Sequence, residues 1–307
     1  MSAKNASLKN PEHNYVRGFS LGLSAYLIWG SFPIIVSALG FAGPTEIVIW
    51  RVVFGFFTAL AIIIYTRGWQ KVAAVFRNRK NLIWVITSAV MIFVNWLVYV
   101  LSVASHNIIE GSLGYAINPL ITILLAMVFL GEKLSRYQWV ALSLGALAVI
   151  VLTVDYGRLP WMALSLAVSF GIYGLAKSKL GPTVAAQTSF AIESGLVFPI
   201  ALVMAVVQAL TPAGLAISQH GVGGAAALAG YGVLTAIPLI LFGSAARYLP
   251  LRYIGFMQYL TPLIQFTLAL SYFHEPMPAV RWVGVLLLAA GIASLLAESL
   301  KKARSRG

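Results

Sequence analysis

The sequence predicts an all-α integral membrane protein with ten transmembrane helices, arranged as two inverted five-helix repeats. Three observations carry this expectation. The 307 residues are 60% hydrophobic and 9% charged, against about 25% charged in an ordinary soluble domain; a water-facing fold cannot bury so much apolar surface. Basic residues collect in every second connection between apolar spans. A passage near the middle of the chain also returns, with substitutions, about half a chain later.

Taken in order, residues 1–16 read as a short disordered polar tail containing Lys4, Lys9, Pro11 and Glu12. The first apolar span, 18–39, is too long for a signal-peptide core and lacks a cleavage site, so it is expected to remain as a helix. Further spans are expected near 44–66, 82–104, 108–130, 137–154, 160–178, 184–207, 223–245, 251–273 and 279–298. With the N-terminus inside, 18 of the 21 Lys and Arg residues fall on the cytoplasmic side. Only Arg158 and Arg281 fall outside, and Arg51 lies within a span. That asymmetry places both termini in the cytoplasm. The net charge of +13 therefore reports topology, and its scatter in short clusters argues against a nucleic-acid partner.

The repeat is strongest from Glu110 to Leu134. Pro119-Leu120-Ile121 returns 143 positions later as Pro262-Leu263-Ile264, Glu132 as Glu275, and Trp139-Val140 as Trp282-Val283. Gly30 and Gly171 correspond at an offset of 141. The expected units are a first repeat at 17–154, a second at 155–299 and a basic cytoplasmic tail at 300–307. Five spans in each unit force the second to be inverted, a design in which Pro- or Gly-interrupted helices flank a midplane site. Pro119 and Pro262 are the expected hinges, although neighbouring helices can also simply accommodate a transmembrane proline.

Ionisable groups within spans are costly and usually face the bundle interior. Arg51 and Glu193 occupy nearly equivalent depths in the two halves. They are expected to pair with each other, to meet a substrate's charges across a central cavity, or only to fix helix packing. Glu110 is a candidate cavity-wall or proton site, as is Glu193, while Glu46 reads as a carboxylate favoured by its own helix N-terminus. Trp29, Asn95, Tyr99, Tyr115, Asn118, Tyr173, Gln258, Tyr259 and Gln265 supply polar or aromatic groups at membrane depth, together suiting an amphipathic or aromatic solute. The small-residue pairs Gly18/Gly22 and Ala141/Gly145 are expected to bring helices close.

Cysteine is absent. The four histidines, His13, His106, His220 and His274, fall in the expected tails and loops. With no zinc, nucleophile-elbow or phosphate-loop motif, no metal, cofactor, nucleotide or enzymatic role is expected.

Several stretches resemble the RarD family within the EamA-type drug/metabolite transporter superfamily. They are Glu46-Ile47 with Arg51, Asn95-Trp96 with Tyr99, Glu110 through Leu120, and Phe129-Leu130-Gly131-Glu132-Lys133. In the second half come Tyr173-Gly174-Leu175 with Lys177, Glu193, Pro238-Leu239 with Phe242, Ala245-Ala246-Arg247, and Gln258-Tyr259 with Pro262. The likeness runs from about residue 18 to 298. It implies a bacterial inner-membrane permease that exports small metabolites or amphipathic drugs by alternating access, with a small-molecule substrate and the lipid bilayer as its partners. The family name is linked to chloramphenicol sensitivity. Trp50, Ala176, Leu101 and Ala104 depart from common family residues at candidate cavity and gate positions, so no substrate is carried over. The competing expectation is a non-transporting partner or sensor protein that reuses the fold.

Overall fold

The computed structural model describes residues 11–130, 134–180, 183–245, 248 and 257–304, and its regular structure is helical. Helix α1 spans Pro11–Ala38, α2 Pro44–Tyr65, α3 Trp69–Arg77, α4 Arg79–Ala104, α5 Ile108–Leu130 and α6 Arg136–Tyr156. Then come α7 Trp161–Leu180, α8 Ala186–Ala209, α9 Ala216–Gln219, α10 Gly221–Ala245, α11 Leu260–Ser271 and α12 Ala279–Arg304. Seven of these are long and apolar enough to cross a bilayer: α1, α2, α4, α5, α6, α8 and α10. Shorter apolar stretches occupy Trp161–Lys177, Leu260–Ser271 and Ala279–Leu295. Outward-facing residues remain apolar, with Ile150, Val203 and Leu286 each at least 60% exposed. Such a surface belongs against lipid, and the protein is a multi-pass membrane protein.

Local chemistry accounts for several helix ends. Pro44 opens α2 at a position where its missing N–H goes unused. Ser135 and Gln138 form a reciprocal capping box at the start of α6, and Gly157 ends that helix at φ 62°.

The helix boundaries correct one expectation and add one helix. First, α1 begins at Pro11, so residues 11–16 continue the first helix and do not form a tail; His13 is helical as well. Residues 1–10 lie outside the described residues. Second, the basic connection after α2 contains α3. This amphipathic helix buries Val75 against Val85, Leu180, Val184 and Ile192 while carrying Lys71 and Arg77. The two repeat prolines are not equivalent. Pro119 lies inside the unbroken α5, whereas Pro262 lies in the first turn of α11, just after a break at Tyr259. The expected pieces at 131–133, 246–247 and 251–256 lie outside the described residues.

Packing follows a reciprocal scheme. Helix α1 packs on α10 and α11, as α7 packs on α4 and α5; α2 touches α10, as α8 touches α4. Helix α2 also crosses α8, α5 meets α11, and α6 lies along α12. Exchanging α1, α2, α4, α5 and α6 for α7, α8, α10, α11 and α12 leaves these pairings unchanged.

The repeated residues make the same contacts. A Cβ at Gly30 would lie 2.7 Å from the Ile264 side chain, and one at Gly171 would lie 2.9 Å from the Ile121 side chain. The small-residue pairs also mark close approaches: a Cβ at Gly22 would lie 2.6 Å from Met257 Sδ, and one at Gly145 would lie 2.1 Å from Leu120 Cδ1. These helices approach closely because a side-chain atom is missing there.

Candidate functional site

A narrow cavity of about 40 Å³ lies between the two sets of helices. Helix α1 lines it with Tyr26, Trp29 and Phe32, an aromatic stripe at helical spacing, and α2 adds Arg51. Helices α4 and α5 contribute Ile92, Asn95, Trp96, Tyr99 and Tyr115. From the other set come Phe170, Leu239, Gln258, Thr261 and Gln265. Seven residues expected at a binding site therefore reach one space: Trp29, Arg51, Asn95, Tyr99, Tyr115, Gln258 and Gln265.

Arg51 is only 3% exposed. Its Nη1 donates to the Tyr231 hydroxyl at 3.0 Å. The guanidinium carbon lies 4.5, 5.2 and 5.5 Å from the ring centres of Trp96, Tyr231 and Phe32. Aromatic faces attract a cation and partly replace the water that it lost.

Asn95 is held from two sides. Its amide donates to Leu166 O at 3.2 Å and Ser169 Oγ at 3.1 Å, while its carbonyl accepts from the Tyr115 hydroxyl at 3.1 Å. Asn118 stands one layer behind the cavity. It donates to Ala167 O at 2.9 Å and accepts a hydrogen bond from Gln258, fixing that side chain where α5 and α11 meet. Tyr173 and Tyr259 do not line the space; the Tyr173 ring instead lies 5.1 Å from Lys177 Nζ.

Glu193 is also outside the lining. Its carboxylate accepts from Ser88 at 2.6 Å, from Ser189 at 2.7 Å and from Lys177. The expected Arg51–Glu193 pair is thus replaced by Lys177–Glu193. Equal depth does not place two groups on facing sides of their helices. Lys177, in the last turn of α7, reaches Glu193 instead.

Four further carboxylates gather at the end assigned to the outside by the charge count. Glu46 accepts from Ala216 N at 2.7 Å, Ile217 N at 2.9 Å and Trp50 Nε1 at 2.9 Å. It lies in the first turn of its own helix, as the sequence reading has it, and also holds the start of α9. Glu275 accepts from the first two backbone N–H groups of α5, Ile108 at 2.7 Å and Ile109 at 2.9 Å. Burial lifts the Glu275 carboxyl above its ordinary range, against the opposing pull of these donors and of nearby His106 and Arg281. Glu110 pairs with Arg158 at 2.8 Å and accepts from Met162 N at 3.0 Å, which places it in this network and away from the cavity wall. Asp155 accepts from Arg281 Nε at 2.9 Å. Apart from Glu46–Trp50, each contact joins an element before residue 157 to one after it.

Sequence reasoning did not single out Tyr231, whose hydroxyl completes the Arg51 setting, or Phe32 and Phe170. The Tyr26–Trp29–Phe32 spacing was the available signal for the α1 face.

Comparisons with known proteins agree with this architecture. The model of the EamA-like transporter family matches residues 16–154. The protein RarD of Streptomyces exfoliatus is 40% identical over 294 residues, covering 95% of this chain and 92% of that protein. An uncharacterized transporter of Vibrio cholerae is 34% identical over 286 residues, covering 93% of each chain. One solved structure aligns with a TM-score of 0.61 at 17% identity, covering 92% of this chain and 98% of the other, a likeness of fold alone.

Proposed function

The chain belongs to the RarD family of EamA-like transporters, and from that premise we propose that it is a secondary transporter moving a small solute through the cavity at Arg51. The observation that carries this reading is that both sets of helices line one buried, partly polar cavity, while four of the carboxylates that join them, Glu46, Glu110, Asp155 and Glu275, gather at one end. In this reading ten helices form two inverted repeats in a bacterial inner membrane, with both termini in the cytoplasm. In the same reading the Glu46, Glu110, Asp155 and Glu275 contacts form a closed outer gate. Breaking them while the other end closes would pass the solute from one face to the other, with outward movement the direction implied by the family resemblance. Small-residue contacts such as Gly30–Ile264 and Gly171–Ile121 join one set to the other and let the two sets slide past each other.

Reconstituted flux tests the reading. Sealed liposomes containing the protein should release a preloaded amphipathic solute several-fold faster than empty liposomes, with saturation as its concentration rises. Leakage equal to that of empty liposomes across neutral, anionic, cationic and zwitterionic solutes would count against transport and favour the partner or sensor role.

A further inference from the structure

We propose that the cavity takes a small organic anion, a carboxylate carried on an apolar or aromatic body, with Arg51 as its counter-ion. This rests on the transporter reading and adds the charge class of the solute.

The first support is an account of the acidic groups. The chain has eight Asp and Glu residues. The five carboxylates whose side chains the structure describes all have partners other than Arg51: Glu46 holds α9, Glu275 holds α5, Glu110 meets Arg158, Asp155 meets Arg281, and Glu193 meets Lys177. Among the described residues, no carboxylate lines the cavity. A buried guanidinium thus faces this space without a protein anion opposite it.

The second support is unsatisfied hydrogen bonding. Arg51 Nε, the Tyr99 hydroxyl and Gln265 Oε1 are buried without a partner, and all three residues line the same cavity. Arg51, Tyr99 and Gln265 are 3%, 4% and 2% exposed. The rings around Arg51 can balance part of its charge through their faces, but they leave the in-plane Nε–H unpaired. A carboxylate can accept from a guanidinium N–H and a phenol O–H together, and charge-assisted bonds of this kind are among the stronger ones. Gln265 Oε1 suits a donor elsewhere on the same solute, such as an amine or hydroxyl. Trp29 and Phe170 give its apolar body a surface to pack against. A purely cationic solute would meet the Arg51 charge with no neighbouring carboxylate to offset it.

The test compares matched probes on the full-length purified protein at constant ionic strength. Phenylacetate is set against phenylacetamide and phenethylamine, and phenylalanine against phenylalaninamide. In thermal-shift titrations the acids should bind at least about tenfold more tightly than their amides, the difference expected for one charge-assisted contact. Arg51→Gln should abolish that preference, and Arg51→Lys should retain part of it. Tyr99→Phe keeps the packing volume and should weaken the acids alone, which guards against misreading an Arg51 variant that fails to fold.

Equal stabilisation by acids and amides, stabilisation by the amine alone, or no stabilisation by any acid would overturn the assignment. Liposome flux of neutral or cationic probes alone would overturn the anion class while leaving the transporter reading intact. Absence of flux for every charge class would count against that reading itself.

Discussion

Gly114→Leu is expected to leave almost no folded protein in the membrane. Gly114 lies in α5 against α7, where an added Cβ would fall 2.7 Å from the Ala163 carbonyl oxygen, 2.9 Å from Leu166 Cβ and 3.0 Å from Ala163 Cα. Backbone atoms cannot move aside as a flexible side-chain end can. Extra methylenes in a well-packed interior already cost about 1–3 kcal/mol, and a branched four-carbon group against a backbone exceeds that. Separating α5 from α7 would also displace Asn118, whose hydrogen bond crosses to α7. Gly174→Ala is the contrast. Its Cβ would meet nothing within 4 Å, and alanine favours a helix over glycine by about 1 kcal/mol, so its thermal midpoint should stay level or rise. Size-exclusion yield and thermal midpoint in detergent check both variants. A monodisperse Gly114→Leu protein with an unchanged midpoint would contradict the described packing.

Lys177→Met is expected to have the second-largest effect, and the effect should be asymmetric across its pair. Removing one partner of a buried ion pair costs about 3–5 kcal/mol because the other charge is left stranded. Glu193 is only 3% exposed and would be left with the hydroxyls of Ser88 and Ser189. Glu193→Gln should cost less, because Lys177 is 21% exposed and near a helix end, where its flexible stem can carry the charge toward water. The double variant Lys177→Met/Glu193→Gln should recover most of the midpoint lost in Lys177→Met. If Lys177→Met matches wild type, or the double variant is the least stable of the three, the pair does not hold α7 against α8.

Much of the membrane architecture was legible because apolar spans and clustered charges leave strong signatures. Arg51 stood out because a charge within a span needs a reason to be there, and the structure places it in a cavity with Asn95, Tyr115 and Gln258. The repeat was legible down to single contacts: Gly30 and Gly171, matched in sequence, each receive an isoleucine from the matched Pro-Leu-Ile segments.

What escaped has a common cause. Sequence position predicts depth along a helix better than the direction a side chain takes around it, so Glu193 was matched with Arg51 when its partner is Lys177. The roles of Glu46 and Glu275 were hidden because their partners are the backbone N–H groups of distant helices. Any residue but proline can supply such a donor. Helix α3 was missed because its amphipathic pattern is short and rests on contacts with Leu180, Val184 and Ile192, far away in the sequence.

The central claim is that the cavity at Arg51 opens in turn to each face of the membrane. The chain contains no cysteine, so a single Thr261→Cys substitution places one thiol in the cavity lining. The direct measurement is labelling of that thiol by a membrane-impermeant maleimide, added separately to each side of sealed vesicles of uniform orientation. The account predicts labelling from both sides, slower from the outer side where the carboxylate contacts are closed, and protection by a transported solute. Labelling from one side only, or from neither, would contradict it.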